Sequence, residues 1–187
     1  GVDTVLGPEM RSTGEVMGLD RVFGTAYAKS QSAAQLPLPV KGRVVLSVAD
    51  RDKRDIVLPA LALAGLGFEL LATAGTAEVL RRAGVPVTVV RKHSEGEGPD
   101  GEQTVDRMIH DGAVDLVVIT GRSAAGPAGR SGDGYLIRTA AVARAVPCLT
   151  TVQAMGAAVQ GIDALQSSSG PTVTPLQELR VRYDRPA

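Results

Sequence analysis

Thr73, Gly75 and Thr76 fall within four residues, directly after an apolar run and at the start of a segment with helical character. Hydroxyls and the unpaired backbone N–H groups of a first helical turn favour an anion, since the helix dipole is positive at that end. Lys53 follows an earlier apolar run and Lys92 a later one, and each adds an ammonium group. Together these residue types can hold a phosphate or a carboxylate. Each also has a plainer role: Thr76 can cap its own helix, and a single lysine is as a rule a solvated surface charge. Convergence at one edge is what would turn five ordinary residues into a site.

Five apolar runs can provide that edge. Val44 to Ala49, Phe68 to Ala72, Pro86 to Val90, Asp115 to Ile119 and Pro147 to Thr150 have the length and the β-branched or aliphatic content of strands buried on both faces. Helical segments alternate with them: one after Asp52 that contains Pro59, then Thr76 to Ala83, Glu102 to Asp111, Asp133 to Arg144 and Val152 to Ala164. Pro59 costs about 3 kcal/mol in a helix interior, so an irregular start is expected there. Gly65, Gly67 and Gly84 are placed to end helices. Alternation of this kind predicts an α/β fold with a parallel, doubly wound sheet, in which all strand ends point the same way. Ligands bind such sheets beyond the carboxyl ends, where the strand order reverses.

Ahead of the sheet, residues 1–18 are broken by Gly, Pro and charge, and the chain starts without Met, as expected of a piece cut from a longer polypeptide. Asp20 to Gln35 predicts one helix capped by Asp20, and the Leu36-Pro37-Leu38-Pro39 stretch predicts an extended linker. The domain proper then runs over 43–165. Residues 166–187 read as a mobile serine-rich segment followed by a short helix around Pro175 to Arg182.

Composition narrows the function. The 187 residues are 44% hydrophobic, enough for a real core, while the formal net charge is zero and aromatics make up 3%. A nucleic-acid binder would show a basic surplus and stacking rings, so that class is disfavoured. No apolar run approaches the roughly 20 residues of a membrane span, and no signal-peptide pattern opens the chain. Cys148 has no partner for an internal disulfide, which fits a reducing cytosol. Inside its apolar strand it reads as a small core residue. His93 and His110 read as structural or exposed, and the Asp50, Asp52, Asp55 loop as a solvated turn.

Seven strings in order carry a resemblance. They are PEMRSTGEVMG (Pro8 to Gly18), SVADRDKRD (Ser47 to Asp55), ATAGTAEVLRRAG (Ala72 to Gly84), RKHSEG (Arg91 to Gly96), DGYLIRTAAV (Asp133 to Val142), PCLTT (Pro147 to Thr151) and PLQEL (Pro175 to Leu179). Over nearly the whole chain the sequence resembles the carboxy-terminal region of carbamoyl-phosphate synthase large subunits. There the first string closes the second ATP-grasp half, and the rest forms a methylglyoxal-synthase-like allosteric domain.

The resemblance implies a sheet of order 3-2-1-4-5 and a regulatory nucleotide, UMP or IMP, whose phosphate is held at the positions of Lys53, Thr73, Gly75, Thr76 and Lys92. It extends to Thr120 as an effector contact and to Thr150 as a contact on the ornithine side. Two positions depart from the family: Ile119 stands where the family has an asparagine, and Gly134 where it has a serine contact. The resemblance further implies a parent ligase that uses ATP with Mg or Mn, bicarbonate and ammonia from a glutaminase small subunit, in the cytoplasm, for pyrimidine and arginine biosynthesis. No cofactor and no catalytic or metal residue is expected in this chain itself.

Two other functions compete. A stand-alone methylglyoxal synthase would need a base carboxylate and a histidine beside the bound phosphate. Gly101-Glu102-Gln103 echoes one element of that enzyme, but Thr120 and Gly121 stand where its second carboxylate belongs. The other is a structural tail that oligomerises the synthase and binds no effector.

Overall fold

The five apolar runs form five parallel strands in the order β3-β2-β1-β4-β5: β1 (Arg43–Ser47), β2 (Glu69–Thr73), β3 (Thr88–Val90), β4 (Leu116–Ile119) and β5 (Cys148–Leu149). The computed structural model describes residues 16–99, 101–121 and 132–167, with positions 173, 175 and 178 beyond them. The expectations for residues 1–15, for most of the Gly-rich loop after Gly121 and for the carboxy-terminal helix lie outside these residues. Among the described residues, six helices connect or flank the strands: α1 (Phe23–Ala33), α2 (Val57–Gly65), α3 (Ala74–Arg82), α4 (Val105–His110), α5 (Asp133–Ala143) and α6 (Val152–Ser167).

Alternation along each strand sorts the core into two layers. Val44 and Leu46 of β1, Leu70 and Ala72 of β2, and Leu116 and Val118 of β4 face Ile56, Leu63, Leu80, Met155 and Ile162 on the side of α2, α3 and α6. Val45, Leu71, Val117 and Ile119 face Val105, Ile109, Ile137 and Ala141 on the side of α4 and α5. With both faces covered, the centre of β1 (Val44 to Leu46) and all of β4 are apolar. They lie side by side where the winding reverses, Val44 opposite Leu116 and Ser47 opposite Ile119.

Local chemistry explains the helix ends. A 3-10 turn, Asp50–Asp52, precedes α2, and Pro59 lies in the helix's first turn, where its missing N–H costs nothing. Gly67 (φ +87°) and Gly84 (φ +78°) take the left-handed conformation just after α2 and α3; Gly65 is still helical. Asp20 does not cap α1, which starts at Phe23. Its carboxylate instead accepts the Val22 N–H (3.2 Å) and pairs with Lys29 (2.8 Å). The last helix also runs past Ala164 to Ser167, and Gln166, expected in a mobile segment, donates to the carbonyls of Val40 and Leu66 at 2.7 and 2.9 Å.

The connecting helix α1 packs on α6 and contributes Ala28 to the larger core layer. The approach is close because Gly24 and Gly161 face each other. A Cβ added at Gly24 would meet the Gln160 carbonyl oxygen at 2.3 Å, and one at Gly161 would meet Leu38 Cδ1 at 2.7 Å. Since the Gly24 obstacle is backbone, Gly24→Ala should force the helices apart and destabilise the fold by about 1–3 kcal/mol. A melting curve should show this as a fall of about 2–4 °C per kcal/mol; an unchanged midpoint would mean that α1 is not held against α6 in this way.

Candidate anion site at the sheet's carboxyl edge

Where β1 leaves the sheet its amides lose their ladder partners and must find other acceptors. The Val48 N–H donates to Thr76 Oγ1 (3.3 Å), and the Ala49 N–H to Thr120 Oγ1 (3.1 Å). One hydroxyl comes from the turn after β2 and the other from the end of β4, so three strand ends are fastened together. Thr73 Oγ1 lies 3.4 Å from Thr76 Oγ1. The threonines are 4% (Thr73), 1% (Thr76) and 8% (Thr120) exposed, so they form a hydroxyl layer under the rim.

This corrects the sequence reading of Thr76. The helix begins at Ala74, two residues earlier than expected, so Thr76 occupies its third position and does not cap it. Thr73 holds the N-cap position, but its hydroxyl makes no capping bond. Sequence reasoning missed the bonds to Val48 and Ala49, because nothing local marks a threonine that caps a distant strand.

The accessible part of the site lies above this layer. Lys53 folds back over the start of α3, and a Cβ built at Gly75 would lie 2.8 Å from Lys53 Nζ. A side chain at position 75 would thus make the ammonium shift from its present place over the helix's exposed first turn. The Lys53 side chain is 18% exposed and pairs with Asp50 at 2.6 Å. That bond holds the Asp50 carboxyl below the usual carboxylate range, and the charge of Lys92 acts on it in the same direction. Gly75, Lys53 and Asp50 thus lie together.

Thr150 stands apart from that group. It is exposed, and it lines a cavity of about 150 Å³ together with Arg51, Asp52, Asp55, Thr120 and Gln153. Thr151, beside it, accepts the Ala154 N–H at 3.0 Å at the start of α6. Thr120 borders this cavity and also fastens Ala49, so it joins the two lobes of the rim. Ile119 is 3% exposed and packs in the layer under α4 and α5; it offers no polar group to a ligand.

The loop after β3 is pinned by contacts that the sequence did not disclose. The Ser94 N–H and hydroxyl both donate to the Asp133 carboxylate (2.8 Å each), tying the residues beside Lys92 to the start of α5. His93 Nδ1 lies 3.0 Å from Asp106 Oδ2. Burial pushes the Asp106 carboxyl up, but hydrogen bonds from Thr104 and His93 outweigh it and hold the group below its ordinary value. On α5, Arg138 grips the carbonyl of Gly121 at the end of β4. Burial raises the Cys148 thiol, with Arg138 offsetting part of the effect, so it is protonated near neutral pH, unlike a thiolate nucleophile.

The lyase's carboxylate chemistry finds little support in this geometry. Glu102 is exposed and lies 3.9 Å from Arg91, and Gln103 donates to Asp111 (2.9 Å). Among the described residues, no group of three or more His, Cys, Asp or Glu could hold a metal ion. No helix among them is long and apolar enough to cross a membrane.

A parallel sheet of order 3-2-1-4-5 with a hydroxyl-lined switch point defines a recognisable class. The family model described as the MGS-like domain matches residues 55–150, more than half of the chain, and the chain belongs to that family. Among curated proteins it is 70% identical over 167 residues to the carbamoyl phosphate synthase large chain of Streptomyces avermitilis, a match covering 88% of this chain and 15% of the relative. It is 66% identical over 180 residues to that of Streptomyces griseus and 54% identical over 184 residues to that of Mycobacterium tuberculosis. Each of these matches covers 95% of the chain and 16% of the relative, so the chain spans under one-sixth of the proteins it matches. A crystal structure of ForH aligns over 73% of this chain and 84% of its own, at 23% identity and a TM-score of 0.46, and carries no part of the assignment.

Two outcomes test the site's framework. Thr76→Val keeps the shape but removes the acceptor for the Val48 N–H, and should cost about 1–3 kcal/mol in a denaturant titration; a loss within error would show that this bond does not fasten β1. Asp106 has a depressed folded pKa, so its stabilising contribution is present above its unfolded pKa and is lost as pH falls through the folded value. Asp106→Asn should therefore be less stable than wild type at neutral pH, with the difference shrinking below about pH 4. Parallel pH–stability curves with a constant gap would count against the pair.

Proposed function

We propose that this chain is the regulatory domain of a carbamoyl phosphate synthase large chain and that it binds the phosphate of a mononucleotide, UMP or IMP, at the carboxyl edge of its sheet. The observation that carries the reading is the Lys53 ammonium poised over Gly75 at the start of α3. Oxygens of a phosphate placed there would meet two ammonium groups and the unpaired amides of a helix start, in the manner of anion sites generally. Similarity to large chains over 88–95% of the sequence supports this role over a stand-alone lyase.

Ile119 leaves the nucleoside end without the amide that the family resemblance called for, so the phosphate end supplies most of the affinity. The cavity beside Thr150 is mixed in sign: Arg51 lines it and lies 3.6 Å from Asp52, while Asp52 and Asp55 give it carboxylates that could meet the ammonium groups of ornithine. In the parent enzyme, an ATP-dependent ligase of the cytoplasm working with a glutaminase subunit, the effector would act through linkage. A ligand shifts distant sites only by its unequal affinity for two states, typically 1–3 kcal/mol of coupling.

Titration calorimetry of the 187-residue chain with UMP, IMP, ornithine and inorganic phosphate tests the reading. A mononucleotide should bind, and at a hundredfold excess over its dissociation constant should add about 2.7 kcal/mol of stability. Lys92→Ala should weaken that binding by about tenfold to a hundredfold, the equivalent of roughly 1.5–3 kcal/mol. If no purine or pyrimidine monophosphate binds, the domain is a structural tail.

A further inference from the structure

One member of the rim has the wrong sign for an anion site. Asp50 Oδ1 lies 2.6 Å from Lys53 Nζ, the ammonium that covers Gly75. Lys53 is largely covered, whereas the Asp50 side chain is 94% exposed and projects from the first residue of the 3-10 turn. Three residues make one turn of such a helix, so positions 50 and 53 lie on the same side. The carboxylate therefore sits on the solvent side of the lysine, where an incoming anion must arrive, and the charge of Lys92 acts on it too.

We propose that Asp50 is a built-in competitor: its carboxylate stands in for the ligand's anionic group when the site is empty and must give way when a phosphate binds. This rests on the phosphate-site reading above and adds a specificity element to it. With no ligand, Asp50 neutralises Lys53 and keeps the ammonium positioned over α3. A weakly held anion gains little by replacing one carboxylate with another negative group. A phosphate monoester carries close to two charges and several acceptor oxygens, and can engage both lysines and the helix amides at once. Asp50 thus raises the affinity an anion needs in order to stay.

The test compares wild type with Asp50→Asn, using calorimetric titration of UMP, IMP and inorganic phosphate at low ionic strength. Asp163→Asn, an exposed position on α6, controls for the change in net charge. The expected result is roughly three- to tenfold tighter binding by Asp50→Asn, with the advantage shrinking in high salt and no such gain in the control. Equal or weaker binding by Asp50→Asn, while wild type binds, would overturn the competitor role and leave the phosphate site standing. An equal gain in the control would reduce the effect to net charge and overturn it as well. If no phosphate ligand binds any of the proteins, the phosphate-site reading fails and takes the competitor with it. Should Asp50→Asn fold poorly, Asp50→Ser offers the same loss of charge with the same expectation.

Discussion

Two hydroxyls hold the end of β1, and the geometry of the rim follows from them. A central strand in a parallel sheet is fully paired along its length but leaves unpaired amides where it exits. Val48 and Ala49 meet that need with Thr76 and Thr120, which come from the ends of the flanking strands on either side. The exit direction of the chain is thereby set before the charged loop begins. Asp50 is the next residue and Lys53 is three further on, so the position of the ammonium over Gly75 depends on how β1 is tied off. The same two bonds keep the turn after β2 and the end of β4 at fixed separation from β1.

The charged loop then supplies paired groups of both signs to the rim. In the 3-10 turn, residues three apart align, which pairs Asp50 with Lys53 and also sets Asp52 and Asp55 in register with each other. Lys53 lies over Gly75 at the start of α3. Asp52 and Asp55 line the cavity next to Thr150, toward β5. Arg51 lines the same cavity and lies 3.6 Å from Asp52, so both signs of charge meet there. Asp50, the partner of Lys53, comes from the same loop, so the ammonium is partly neutralised from within it.

The fold was legible because burial on both faces leaves a strong mark. Runs such as RVVLS and LVVI admit few alternatives to interior strands when helical segments separate them. Pro59 and Gly84 marked a helix start and a helix stop for local steric reasons. Exact boundaries were less legible: β5 shortens to Cys148–Leu149 and α3 begins at Ala74. Tertiary pairing decides where a strand stops, and the residues at its ends keep strand-like composition after the ladder has finished.

For the site, the sequence by itself determined the inventory: lysines after two strands, threonines and a glycine at a helix start, and an isoleucine where a polar contact would suit a nucleoside. It also determined the common edge, since parallel strands deliver their ends to one side. Only the tertiary structure decided that Thr73, Thr76 and Thr120 are largely buried, with Thr76 and Thr120 as acceptors for the amides leaving β1, that the Lys53 ammonium lies over Gly75, and that Asp50 pairs with it. The physical reason is range. Strand and helix signals arise from neighbours a few residues apart, whereas Thr76 and Val48, or Gly75 and Lys53, meet across more than twenty residues of chain, and their partners are chosen by how the finished sheet closes over its own ends.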